Sequence, residues 1–362
     1  MPSASKLILS FVLLLVATSS VTTVLGENQW TRYGSAPILS TPSWTAGGLI
    51  RPRVVYDGTT FRMWFTGLDA KANLVGIGYA TSTDGMKWSE NAQPVLMAGS
   101  SWEGNYISGG SVIWTGSEFM MWYRGVGGQA GSSQSHGAVG LATSPDGVAW
   151  TKYAGNPVMT TTTVDSNFLS TPYVIQVGSS FKMWYTCANP LVRTNSICYA
   201  TSNDGKSWTK VSSPVLQGAS GWESGGIFSP SVIYDGTTYG MWYSGLNDNG
   251  IVPQIGYATS KDGIAWTRDP SNPILPVGQS GAWDSGAVEN ECVVQYNGGF
   301  LLYYDGSGTS STSLNYIGVA QSPPSFVLPE TNSPVAMIAV ATLIVLAGLT
   351  LNKSRLPGRA RV

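Results

Sequence analysis

Apolar and polar positions alternate with a period of two along much of the chain, as in SVIYDG (231–236), YGMWYSG (239–245) and QIGYATS (254–260). That period sends successive side chains to opposite faces of an extended strand. Asp-Gly pairs such as Asp57-Gly58 and Asp235-Gly236 separate the runs and predict tight hairpins. The pattern recurs: GIGYATSTDGMKW, AVGLATSPDGVAW, SICYATSNDGKSW and QIGYATSKDGIAW end at Trp88, Trp150, Trp208 and Trp266, spaced 62, 58 and 58 residues. An aromatic pair precedes each one: Trp64-Phe65, Trp122-Tyr123, Trp184-Tyr185 and Trp242-Tyr243. Tyr303-Tyr304 opens a fifth copy that runs only to IGVAQS (317–322). Each copy reads as four short strands, and such a unit repeated around an axis predicts a propeller blade. The expected fold is therefore an all-β, five-bladed β-propeller over residues 27–322. WTRYGSAPIL (30–39) stands ahead of the first copy and matches WTRDPSNPIL (266–275). The N-terminal strand is thus predicted to complete the truncated fifth blade and close the ring.

The two ends carry different signals. Residues 1–26, with Lys6, an apolar run from Leu7 to Val16 and small residues up to Gly26, read as a secretory signal peptide, with an uncleaved anchor as the other possibility. Residues 323–333 form a Pro-containing linker. Residues 334–351 are 18 positions without a charge and read as a transmembrane helix, and 352–362 form a basic tail with Lys353, Arg355, Arg359 and Arg361. The positive flank predicts a cytoplasmic tail, which puts the propeller on the extracellular side of the membrane on a single C-terminal anchor. LPETN (328–332) resembles a sortase-type LPxTG signal with Asn in place of Gly, so processing by a sortase-like enzyme and a plain membrane helix both stay open.

Composition narrows the function. Charged residues make up 11% of the chain, against about a quarter in ordinary soluble domains, and the 43% hydrophobic share excludes a disordered chain. Between residues 27 and 333 there are 14 basic and 20 acidic side chains, which leaves no basic excess for nucleic acid. One His and three Cys exclude a Cys/His zinc cluster, and no metal or cofactor is expected. Cys187 and Cys198 stand where the other copies have glycine pairs: Gly67 and Gly78, Gly125 and Gly140, Gly245 and Gly256, Gly306 and Gly318. Both change in the same copy, as expected of two residues that meet across a strand pair, and in an exported protein a disulfide follows. Cys292 has no partner left and is expected to be a small buried residue.

Side chains that recur in every blade serve a need of every blade. Asp84, Asp146, Asp204 and Asp262 lie in SxDGxxW, similar to the sialidase Asp-box but one residue shorter, and are expected to accept backbone N–H bonds across the turn. Glu103, Glu223 and Asp284 each follow a Trp and are set aside on the same ground. On the inner strands the repetition breaks down. Alignment puts Arg51, Gly109, Thr171, Ser229 and Glu291 at one position, and Thr66, Arg124, Thr186, Ser244 and Asp305 at the equivalent position of the following strand.

Over about residues 30–322 the blade pattern resembles the five-bladed propeller glycosidases, including glycoside hydrolase families 32, 43 and 62 and the mannoside phosphorylases of family 130. The resemblance implies inner-strand carboxylates around the axis, with a Glu, often in an E-C-P or E-x-P setting, as proton donor. Glu291 in ENECVV matches that Glu, with Val293 where Pro would stand. Glycoside hydrolysis usually needs a second carboxylate, and Asp305, brought roughly opposite Glu291 by a hairpin through Asn297 and Gly298, is the candidate. Arg51-Pro52-Arg53 looks like the family's D-P-R turn with Arg in place of Asp, and Arg124 in MWYRG resembles a phosphorylase motif. Arg51, Arg53, Arg124 and Glu289 are candidate substrate-binding residues, with His136 at the end of a Gly/Ser-rich loop on the rim. Ring closure would set Arg51 beside Glu291 and lower its pKa. The competing reading makes Arg51, Arg53, Glu289 and Glu291 a structural ion-pair network. Three functions stay open: a glycoside hydrolase-like enzyme, a module that binds glycans without cleaving them, and a structural surface head. Expected partners are a carbohydrate and, through the C-terminal helix, a membrane.

Overall fold

The computed structural model describes residues 30–127, 137–165, 168–188, 194–247, 252–310 and 314–323. The predicted leader, the anchor helix, the basic tail, all of the linker except Pro323, and His136 lie outside the described residues. What is described is all-β, with two single-turn 3-10 segments at Ser101–Glu103 and Thr163–Asp165. None of its helices is long and apolar enough to cross a membrane.

A short β1 (Thr31–Arg32) comes first. The first repeat folds as β2 (Gly48–Tyr56), β3 (Phe61–Leu68), β4 (Leu74–Ser82) and β5 (Ser89–Glu90). The second is β6 (Ile107–Trp114), β7 (Phe119–Val126), β8 (Gly137–Ser144) and β9 (Thr151–Lys152). The third holds β10 (Leu169–Val177), β11 (Ser180–Ala188), β12 (Asn195–Ser202), β13 (Thr209–Lys210) and β14 (Leu216–Gln217). In the fourth are β15 (Gly226–Tyr234), β16 (Tyr239–Leu246), β17 (Gln254–Ser260) and β18 (Trp266–Arg268). The last has β19 (Ala287–Tyr296), β20 (Gly299–Ser307) and β21 (Tyr316–Gln321). Each repeat is an antiparallel meander, and the third and fourth are joined by one parallel pairing, Asn195 with Gly226.

The first strands of the repeats pack in a closed circuit, β2 on β6, β6 on β10, β10 on β15, β15 on β19 and β19 back on β2. The circuit and its radiating meanders make a β-propeller. As expected, the N-terminal segment completes the last sheet: β1 pairs antiparallel with β21, Thr31 opposite Gln321, and Trp30 packs edge-on against Trp242 with ring centroids 6.1 Å apart.

Repeat-to-repeat contacts explain the conserved pattern of the copies. Trp64, Trp122 and Trp184 are fully buried, and each donates its indole N–H at 2.8 Å to the turn glycine of the following repeat, Gly147, Gly205 and Gly263. The Tyr303 hydroxyl does the same for Gly85, across the closing seam. The Asp residues of these turns act as expected: Asp84 Oδ1 accepts the N–H groups of Met86 and Lys87 at 2.8 Å, and Asp146, Asp204 and Asp262 repeat the arrangement. Those donors hold all four carboxyls below their ordinary range.

The residues set aside on the rim also have structural work. Glu103, Glu223 and Asp284 are buried and pair with Lys152, Arg268 and Arg32 on the outer strands, and Asp165 with Lys210 completes the set, at 2.5 to 2.7 Å. In the first repeat both members change together, to Thr45 and Glu90.

Cys187 and Cys198 form the expected disulfide, with Cα atoms 5.8 Å apart. The pair is diagonal, since Cys187 lies opposite Ser196 and Cys198 opposite Tyr185. The structure also explains why this repeat differs. In the others an indole lies over the two glycines, so a Cβ on Gly67, Gly125 or Gly245 would come within 2.4 Å of Trp44, Trp102 or Trp222. The third repeat has Val164 at the Trp position, and the cystine fills the space that the ring leaves. Cys292 is buried and unpaired, as expected.

Candidate functional site

Each innermost strand carries a bulge at the same depth: Arg51-Pro52, Gly109-Gly110, Thr171-Pro172, Ser229-Pro230 and Asn290-Glu291. The residue equivalent to Arg51 is therefore Asn290, and Glu291 corresponds to the second bulge position. This corrects the alignment expected from sequence by one residue. Arg51, Thr171, Ser229 and Asn290 all sit at positive φ, between 39° and 57°. Such backbone is held only where surrounding bonds enforce it.

Those bonds form a series around the axis. A side chain from the second strand of one repeat accepts the bulge N–H of the next: Thr66 Oγ1 from Gly109 (2.9 Å), Thr186 Oγ1 from Ser229 (2.9 Å), Ser244 Oγ from Asn290 (3.0 Å) and Asp305 Oδ1 from Arg51 (2.7 Å). Asp305 thus does at the closing seam what Thr or Ser does elsewhere. At the remaining seam the equivalent residue is Arg124, which has no acceptor to offer. Instead its Nε donates to the Leu169 carbonyl at 3.0 Å, and its guanidinium lies over the Phe168 ring at 5.8 Å.

The carboxylates meet here, in a register different from the expected one. Asp305 lies opposite Glu289, not Glu291. Glu291 turns to the neighbouring repeat, where its Oε2 accepts the Ser244 hydroxyl at 2.8 Å and its Oε1 is buried without a hydrogen-bond partner. Both Glu291 and Asp305 are fully buried (0% exposed), whereas Glu289 keeps partial exposure. Asn290 links the cluster: its Nδ2 donates to Asp305 Oδ2 at 3.3 Å, and its Oδ1 accepts the Ser229 hydroxyl. Sequence reasoning missed Asn290, and it named Ser244 only as the equivalent of Thr66, Arg124, Thr186 and Asp305 without giving it a role. The signal was there, because Pro52, Pro172 and Pro230 mark the second bulge position, and counting from them puts Glu291 in the proline column.

The expected lowering of the Glu291 pKa does not occur. Burial pushes its carboxyl up to about 8, outweighing its own backbone N–H, the Ser244 hydroxyl and the Arg53 charge, while Asp305 adds to the rise. Burial likewise raises Glu289 and Asp305. For Glu289 the Asp305 charge adds to the effect and Arg51 opposes it, and for Asp305 the Arg51 N–H and the Asn290 side chain oppose it. Two carboxyls on paired strands hold a proton more readily than either would alone.

Of the basic residues, Arg53 is buried (2% exposed), donates through Nη1 to the carbonyls of Pro52, Asn290 and Glu291, and lies over the Tyr173 ring at 5.8 Å. It supports the bulge from behind. Arg51 Nη1 donates to Ser108 Oγ at 2.9 Å, and Ser108 is the cross-strand partner of Arg124. Among the described residues no ion pair involves Arg51, Arg53, Arg124, Glu289 or Glu291, which corrects the expected ion-pair network. The described residues include no group of His, Cys, Asp and Glu that could hold a metal ion.

Comparison with known proteins agrees with this architecture. The sequence model of the glycosyl hydrolases family 32 N-terminal domain matches residues 61–223. An uncharacterized protein of Mycobacterium tuberculosis (strain CDC 1551 / Oshkosh) is 28% identical over 300 residues, covering 79% of this chain and 93% of its own. A solved structure described as a glycoside hydrolase superposes with a TM-score of 0.68 at 17% identity, covering 84% of this chain and 96% of its own. A member of the GH130 family of mannoside phosphorylases, from work on hydrolases that target β-1,2 mannosidic linkages in Candida mannan, gives 0.62 at 16% identity over 83% and 96%. The GH32 β-fructofuranosidase of Bombyx mori gives 0.58 at 16% identity over 82% and 62%.

Proposed function

We propose, from the premise that this chain has the fold of the glycosidase-like propeller superfamily, that it is a five-bladed, carbohydrate-directed propeller whose axial site works as a glycoside hydrolase. The carrying observation is that Glu289 is the partly exposed carboxyl at the axis and lies in register with the buried Asp305. Hydrolysis calls for one carboxyl that holds its proton and one that gives it up. In this reading Glu289 protonates the leaving oxygen, and Asp305, held by the Arg51 N–H and Asn290, is the charged partner. Glu291, sealed from solvent, positions Ser244 and through it the Asn290 bulge. The leader at 1–26 and the apolar segment 334–351 support an exported protein tethered to the outer face of the membrane.

A second reading, binding without cleavage, is favoured by one observation: Asp305 fills a seam role that Thr66, Thr186 and Ser244 fill without any chemistry. The full chain, screened against aryl glycosides and oligosaccharides beside Glu289→Gln and Glu291→Gln, separates the two. Turnover lost in Glu289→Gln but kept in Glu291→Gln supports the enzyme. Turnover lost only in Glu291→Gln overturns the assignment, and binding without turnover supports the second reading. Protease digestion of intact cells tests the outward orientation.

A further inference from the structure

We propose that Arg51 and Arg124 form a clamp for the carboxylate of an acidic sugar, so that the axial site takes uronate-bearing glycans. The inference rests on the carbohydrate-directed reading above and names the substrate class of that same site.

The first argument is what Arg124 displaces. At four of the seams a short side chain caps the bulge N–H of the next repeat, and Arg124 stands in that position at the fifth. A guanidinium only donates, so it cannot cap the Thr171 N–H. Arg124 trades that cap for an Nε bond to the Leu169 carbonyl, and the exchange sets a positive charge where the other seams hold a short acceptor.

The second argument is where the two guanidiniums are held. Arg51 occupies the bulge position filled by Gly109, Thr171, Ser229 and Asn290 in the other repeats, and its Nη1 bonds Ser108, directly across the ladder from Arg124. Both side chains keep partial exposure. Glycine at 137 leaves room for one of them: a Cβ there would lie 2.0 Å from the Leu169 carbonyl oxygen and 2.8 Å from the Arg124 Nε that donates to it. Neither cation has an ion-pair partner among the described residues, and the buried Arg51 Nε has no hydrogen-bond partner. Two like charges brought together under partial burial are costly unless an anion joins them.

The third argument is the chemistry of the anion. Planar guanidinium forks match the two oxygens of a carboxylate. The protein's own acids do not take that place: Glu291 turns to Ser244, and Asp305 is engaged by the Arg51 backbone and Asn290. Burial favours the neutral forms of Glu289 and Glu291, which reduces the negative charge around Arg51 and Arg124. An uronate carboxylate would supply it, with Glu289 left to face the sugar's oxygens.

The test is calorimetric titration of the full chain with oligogalacturonides, alginate oligomers and glucuronoxylan fragments, each beside its carboxyl-reduced counterpart, and with inorganic phosphate. At least one acidic glycan is expected to bind tenfold or more tightly than its reduced counterpart. Arg124→Gln is expected to remove that preference. Arg124→Thr installs the cap found in the first and third repeats, so it should melt no lower than the parent and still lose the preference. If reduced glycans bind as well as acidic ones, the clamp is refuted and the carbohydrate reading stands. If no glycan of either kind binds, both fall together. Phosphate that binds as tightly as the best glycan, with the same dependence on Arg124, would make the pair an inorganic-anion site and overturn the proposal.

Discussion

Glu291 offers the sharpest physical test of the axial cluster. Its carboxyl is fully buried, with one oxygen bonded to the Ser244 hydroxyl at 2.8 Å and the other without a partner, and burial raises it from 4.5 to about 8. The unfolded chain ionises the group near its ordinary value, while the folded chain keeps the proton. Between those limits the unfolded state binds fewer protons, so stability falls as pH rises, by about 1.4 kcal/mol per pH unit. Over the whole interval the loss reaches about 5 kcal/mol as a ceiling. Below pH 4.5 the contribution is intact, and above about 8 it is lost and no longer changes. Glu291→Gln keeps an acceptor for Ser244 and removes the titration. Urea midpoints of the full chain and the variant, measured from pH 4.5 to 9, should therefore diverge steadily in the variant's favour up to about pH 8. Glu289 and Asp305 titrate in both proteins, so the difference isolates Glu291. A difference that stays constant with pH would refute the claim that this carboxyl is held neutral.

Three further outcomes follow from the same geometry. Asp305→Ala leaves the Arg51 N–H without its 2.7 Å acceptor and should cost about 1–3 kcal/mol by thermal melting, whereas Asp305→Thr restores the cap used at other seams and should recover most of it. Replacing Cys187 and Cys198 by Gly should cost about 3 kcal/mol, the value for a loop of this length, and adding Val164→Trp should restore a substantial part by laying an indole over the new glycines. If the protein turns over a glycoside, the alkaline limb of kcat/KM should lie well above the ordinary carboxylate range, because burial raises Glu289, and Glu289→Gln should abolish that limb together with the activity.

Much of the architecture was legible because it repeats. The strand period, the aromatic pairs, the turn aspartates and the N-terminal match to the 266–275 segment each recur, so a residue's role in one copy could be checked against the others. Cys187 and Cys198 were legible by the opposite logic, as a paired departure from glycine, although the missing Trp at Val164 that makes room for them went unread. The axial cluster was harder. The candidates Arg51, Arg124, Glu289, Glu291 and Asp305 were identified, but a bulge adds one residue to a strand, and a slip of one residue exchanges the faces of every side chain beyond it. That is why Glu291 was aligned with Arg51, and why Asp305 was expected opposite Glu291 instead of Glu289.

By itself the sequence determined what is local or periodic: strands, turns, the order of the repeats, and the borrowed strand that closes the ring. These follow from side-chain alternation and turn chemistry, which act over a few residues and are written in their spacing. Only the tertiary structure decided which axial carboxyl stays open to solvent, that burial outweighs the arginine charges at Glu291, and that Arg51 reaches Ser108 beside Arg124. Those outcomes depend on desolvation and on contacts between segments 43 to 254 residues apart, set by the closed circuit of inner strands.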